Sequence, residues 1–121
     1  TGIEQRESLT QIAQSVAKQL SLNNTSFLTG NFTEIDFTQF DHFYFYNAFY
    51  ENLIDNDSID QTVKYSPELF NLYNRKLYKQ LKILPAGTRI ATFHSSENQM
   101  PNSYQVVGVG LNEDLKFWIK V

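Results

Sequence analysis

The chain of 121 residues contains no cysteine. That excludes a disulfide framework, a thiolate metal site and a cysteine nucleophile, and it fits a reducing compartment. With two histidines and no cysteine beside them, a zinc site is not expected. Basic residues are also scarce: 10 Lys and Arg stand against 13 Asp and Glu, for a net charge of −3. Such a balance leaves no electrostatic footprint for nucleic acid, which is not expected as a partner. No apolar run approaches the roughly 20 residues of a membrane-spanning helix, and the first residues lack the basic-then-apolar pattern of a secretory signal. The expectation is a soluble, cytoplasmic protein with no membrane partner.

Aromatic residues are plentiful, at 15% of a chain that is 41% hydrophobic. That composition specifies a folded domain with a single core. The rings concentrate in residues 41–50, DHFYFYNAFY, where Phe43, Tyr44, Phe45, Tyr46, Phe49 and Tyr50 surround one amide, Asn47. Read as a run without in/out alternation, the stretch predicts a central strand buried on both faces. The carboxyl ends of strands in open α/β sheets face the ligand crevice, so Asn47-Ala48-Phe49-Tyr50 would stand at the lip of a pocket. The same residues also read as a turn amide and rings that only fill core.

Upstream, Leu9, Ile12, Ala13, Val16, Ala17 and Leu20 fall at helical spacing, with Gln11, Gln14, Lys18 and Gln19 opposite. A helix over about 5–20 is predicted, with Glu4 and Glu7 near its positive end. A short strand at 26–29 stops at Gly30-Asn31, and 32–40 connects it to the aromatic strand. After a helical turn or two at 49–54, Ser66-Pro67-Glu68 starts a helix with a hydroxyl cap, a first-turn proline and an acid. Phe70, Tyr73, Leu77, Leu81 and Leu84 form its apolar stripe, and Pro85-Ala86-Gly87 ends it. A strand at 88–94 follows, then a loop, then a hairpin of 104–110 and 115–121 across Asn112-Glu113-Asp114. Gly108 and Gly110 predict an edge or a bulge in the first hairpin strand. Asp55, Asp57 and Asp60 lack the glycine and distal glutamate of a calcium loop and read as solvated. The alternation of elements predicts a mainly parallel α/β sheet closed by an antiparallel hairpin.

This order, with its short motifs, resembles the later two-thirds of a class I S-adenosylmethionine-dependent methyltransferase, a Rossmann-like α/β fold. Gly2-Ile3-Glu4 resembles the end of that family's second strand, where an acid binds the cofactor ribose, which implies that role for Glu4. Gly30-Asn31-Phe32 resembles the end of the third strand and implies contact of Asn31 and Phe32 with adenine. Asn47-Ala48-Phe49-Tyr50 is similar to the Asn/Asp-Pro-Pro-Tyr-like segment beside the transferred methyl group, with alanine and phenylalanine in place of the prolines. The tail Leu115-Lys116-Phe117-Trp118-Ile119-Lys120 resembles the last strand of small bacterial members and of the non-SET histone lysine methyltransferases. The family's glycine-rich loop has no counterpart, because Gly108-Val109-Gly110 lies at the other end of the chain.

The resemblance therefore implies that the N-terminal strands of the sheet lie upstream of Thr1 and that residues 1–121 are a partial domain. The implied activity is methyl transfer from S-adenosylmethionine to an unidentified acceptor in the full-length protein, with this fragment inactive alone. Glu4, Gly30, Asn31 and Phe32 would bind the cofactor; Asn47, Phe49 and Tyr50 would serve the reaction. Positioning donor and acceptor in line supplies most of the acceleration in such chemistry. Read only as residues, Glu4 is also a first-turn helix acid and Asn31 a turn residue. His94, at the end of a strand, reads as a base or as a solvent-facing side chain. An uncovered sheet edge predicts self-association. The nine-residue connection 95–103 is short for a crossover helix, so the last three strands are also compatible with a meander. A non-catalytic α/β interaction module, or another nucleotide-binding protein, is the rival reading.

Overall fold

In the computed structural model, residues 1–46, 66–94 and 99–121 are described. They form a mixed α/β structure with two helices, a parallel two-stranded sheet and a mixed four-stranded sheet. Two compact units divide them: residues 1–35, and the described residues from 36 onward.

The first unit is one parallel crossover. Strand β1 (Gly2–Glu4) leads into helix α1 (Glu7–Gln19) and then into β2 (Phe27–Thr29). The strands pair parallel with Gly2 opposite Phe27 and Glu4 opposite Thr29. Gly2 is required by close approach, since a Cβ there would lie 2.8 Å from the Phe27 ring. Helix α1 begins two residues later than its periodicity predicts, because Glu4-Gln5-Arg6 is spent on a turn. The Glu4 Oε1 accepts from the Arg6 N–H at 2.9 Å, and the Arg6 backbone is extended. The apolar face divides: Thr10 and Ala17 are buried, whereas Ile12, Val16 and Leu20 are exposed.

The second unit holds the four-stranded sheet in the order β3-β4-β6-β5. Strand β3 (His42–Tyr46) runs parallel to β4 (Arg89–Phe93) across helix α2 (Pro67–Ile83). Strand β6 (Leu115–Lys120) pairs antiparallel with β4 on one side and with β5 (Tyr104–Gly110) on the other. Two pairings are thus parallel and two antiparallel, and the expected mainly parallel sheet is corrected to a mixed one. The meander is corrected as well, for β6 rather than β5 lies against β4. The side chains explain that choice. Trp118 pairs with Ile90, and its indole N–H donates to Thr92 Oγ1 at 3.0 Å inside the core.

Helix α2 starts and stops as its residues specify. Ser66 Oγ accepts from the Leu69 N–H, Pro67 opens the first turn, and Gly87 turns the chain at φ +89°. Its buried residues Tyr73, Leu77 and Leu81 share the core with Leu84, Ile90, Tyr104 and Trp118. Phe37, in a 3-10 turn before β3, stacks on Phe43 at 4.8 Å. Strand β3 itself departs from expectation. Burial alternates along it: Phe43 and Phe45 are partly buried, whereas Tyr44 and Tyr46 are 60% and 66% exposed. Among the described residues, the predicted strand buried on both faces is instead a terminal strand with one covered face. The unbroken run of rings Phe43, Tyr44, Phe45 and Tyr46 hid a period of two, because tyrosine serves the wet face as readily as phenylalanine serves the dry one. The predicted bulge falls between Val106 and Gly108, where a Cβ on Gly108 would come within 3.3 Å of Phe117. Among the described residues no helix is long and apolar enough to cross a membrane.

Candidate functional site

Parallel pairing of β1 and β2 puts their carboxyl ends side by side. Glu4 closes β1, and Gly30 and Asn31 follow directly after β2. The Gly30 N–H donates to the Glu4 carbonyl at 3.0 Å, so the backbone ties the first two sequence-predicted positions together. Asn31 caps the following 3-10 turn, its Oδ1 accepting from the Thr33 N–H at 3.0 Å, and Phe32 opens that turn half-buried. All four cofactor candidates, Glu4, Gly30, Asn31 and Phe32, therefore lie at one end of one small sheet.

The carboxylate of Glu4 is held, and only on one side. Its Oε1 accepts from the Arg6 backbone at 2.9 Å and from the Arg6 guanidinium at 3.5 Å, while the side chain stays 38% exposed. Its Oε2 has no hydrogen-bond partner among the described residues. A carboxylate oriented through one oxygen and open at the other can accept from a donor such as a sugar hydroxyl. Arg6 was missed in reading the sequence; a lone basic residue two positions after a strand-ending acid was its signal. A Cβ on Gly30 would meet nothing nearer than Glu34 Oε2 at 3.9 Å, so this glycine leaves open space without being demanded by a clash. A hollow of about 260 Å³ runs along the seam between α1 and the strands, lined by Glu4, Thr10, Ala13 and Phe27 among others.

In the second unit, β3 and β4 likewise end together, with Tyr46 opposite Phe93. The reaction candidates Asn47, Phe49 and Tyr50 lie outside the described residues. Just before them, the Tyr46 ring stacks on Phe93 at 5.3 Å and 1°, and His94 packs edge-on to Phe93 at 4.3 Å. His94 adopts the left-handed backbone, φ +54°, and its N–H donates to the Asp114 carbonyl at 3.1 Å. His42, the other histidine, accepts through Nδ1 from the Arg89 N–H at 3.2 Å and so serves the sheet. A hollow of about 310 Å³ lies on the uncovered sheet face, lined by His42, Arg89, Ala91, Val107 and Phe117 among others. Among the described residues no group of histidines and acids could hold a metal ion. Comparison with protein-family models, with characterised proteins and with solved structures gives no match.

Proposed function

We propose that this chain is part of an S-adenosylmethionine-dependent methyltransferase of Rossmann-like fold, in which Glu4 binds the cofactor ribose. One observation carries the reading: the half-open Glu4 carboxylate stands at the shared carboxyl end of β1 and β2, next to Gly30 and Asn31. Ligands of open α/β sheets bind at such strand ends. The units, each by itself, are compatible with doubly wound architecture. Strands β1 and β2 are parallel across α1, strands β3 and β4 are parallel across α2, and an antiparallel hairpin closes the second sheet. When bound, the cofactor supplies an electrophilic methyl group; this chain's residues orient it. Glu4, fixed by Arg6, accepts from ribose hydroxyls through Oε2, and Asn31 and Phe32 border the base. The role of Asn47, Phe49 and Tyr50 in holding the acceptor rests on the resemblance alone.

Calorimetric titration of S-adenosylmethionine into the full-length protein and its Glu4→Gln variant tests this. Glutamine keeps an oxygen for the Arg6 N–H but loses the charge, so at least roughly tenfold weaker binding is expected. Equal binding by both, or binding by neither, overturns the reading. The rival interaction module is favoured by one feature, the uncovered face of the four-stranded sheet carrying Tyr44, Tyr46, Val107 and Phe117.

A further inference from the structure

We propose that Tyr46, Phe93 and His94 form a stacking site for a flat aromatic group bearing an O–H or N–H, which the His94 imidazole accepts. Its assignment as the methyl-acceptor site rests on the methyltransferase reading; the stacking site itself does not. Three observations meet at one place. First, Tyr46 and Phe93 are parallel to within 1°, and Tyr46 is 66% exposed beside the half-buried Phe93, so another planar ring can extend the stack from Tyr46.

Second, His94 takes the left-handed backbone that few residues with a Cβ enter, histidine being among those that enter it more often. The left-handed region disfavours a residue with a Cβ, and such strain gathers at binding and catalytic sites. The β5–β6 turn that accepts the His94 N–H, through Asp114, is itself left-handed at Leu111, Asn112 and Glu113. Glycine or asparagine would also serve the backbone at 94, so the backbone alone does not call for an imidazole there. Third, that ring is exposed, fixed edge-on against Phe93, and without a hydrogen-bond partner for its nitrogens among the described residues. An imidazole beside a ring stack receives a donor at the rim of a stacked ligand. Both parallel strands of the sheet end here, the position from which open α/β sheets present ligands.

Phenol is the probe, and cyclohexanol, equal in size and hydroxyl but not flat, is its control. In carbon–proton spectra of the protein, phenol is expected to shift the Tyr46, Phe93 and His94 ring signals saturably, and cyclohexanol is not. His94→Gly, which suits the left-handed backbone and removes the side-chain acceptor, is expected to retain the native spectrum elsewhere. It should weaken phenol by roughly fivefold, as for one lost hydrogen bond. Phe93→Leu is expected to weaken it as well, by removing the partner that holds the Tyr46 ring. The proposal is overturned if phenol shifts none of the three rings, if cyclohexanol shifts them equally, or if His94→Gly binds phenol as the native chain does. Phenol binding needs no cofactor. A protein that binds phenol here yet takes up no S-adenosylmethionine loses the methyltransferase reading and keeps this site; the converse result does the opposite.

Discussion

The Lys120 ammonium lies at the carboxyl end of α2 and donates to the Lys82 carbonyl at 2.6 Å. It also donates to the carbonyls of Leu81 and Leu84, so one side chain from β6 serves three acceptors in the last turn, of which Leu81 accepts from the Leu84 N–H as well. A cation there also meets the negative end of the helix dipole. Replacing it by Lys120→Met keeps the aliphatic stem and removes every donor. The variant is expected to lose about 2 kcal/mol in urea unfolding. Unchanged stability would mean that water caps the helix equally well.

A second prediction concerns the bond between Trp118 and Thr92, both nearly inaccessible. Thr92→Val preserves shape but strands the indole N–H in the core. A loss of about 1–3 kcal/mol is expected. Thr92→Ser, which keeps the acceptor, is expected to lose less, and denaturation monitored by Trp118 fluorescence reads both.

Tyr104 donates its hydroxyl to the Leu81 carbonyl at 3.0 Å, and burial pushes its phenol up from 10.0 to about 12. The folded state thus holds the neutral form more firmly than the unfolded chain does. Its contribution is fully present below pH 10.0 and is lost as pH rises toward about 12. Stability measured against pH is therefore expected to fall across that window in the native protein, and less steeply in Tyr104→Phe. Parallel curves for the two proteins would contradict the assignment.

Strand β3 ends the four-stranded sheet, and among the described residues its outer edge has no partner strand. Unpaired edges recruit other strands, and a charge on the edge discourages them. Concentration-dependent self-association is expected in light scattering, weakened by Tyr44→Lys. A mass that stays monomeric as concentration rises would show that this edge is closed.

Much of the local structure was legible. Ser66-Pro67-Glu68 and Pro85-Ala86-Gly87 bracket α2 because caps, first-turn proline and left-handed glycine act within a few residues of chain. The hairpin of β5 and β6, with its bulge at Gly108, was legible for the same reason. Glu4, Gly30 and Asn31 were joined in the sequence only by the family resemblance, since their meeting depends on a parallel pairing across α1 that no short segment specifies. Arg6 went unseen because its partner is chosen by the fold of a turn. The aromatic run misled, since a string of Phe and Tyr states how much ring is present and not which rings face water.

What the residues determined by themselves, then, is where elements begin and end and which side chains carry polar groups, for these follow from backbone preference and short-range hydrogen bonding. Tertiary structure alone decided that β6 inserts beside β4, that Lys120 reaches the end of α2, and that Tyr46, Phe93 and His94 share a corner. Those outcomes join positions tens of residues apart. They are selected by the burial and hydrogen bonding of whole faces, which a chain satisfies only once it is folded.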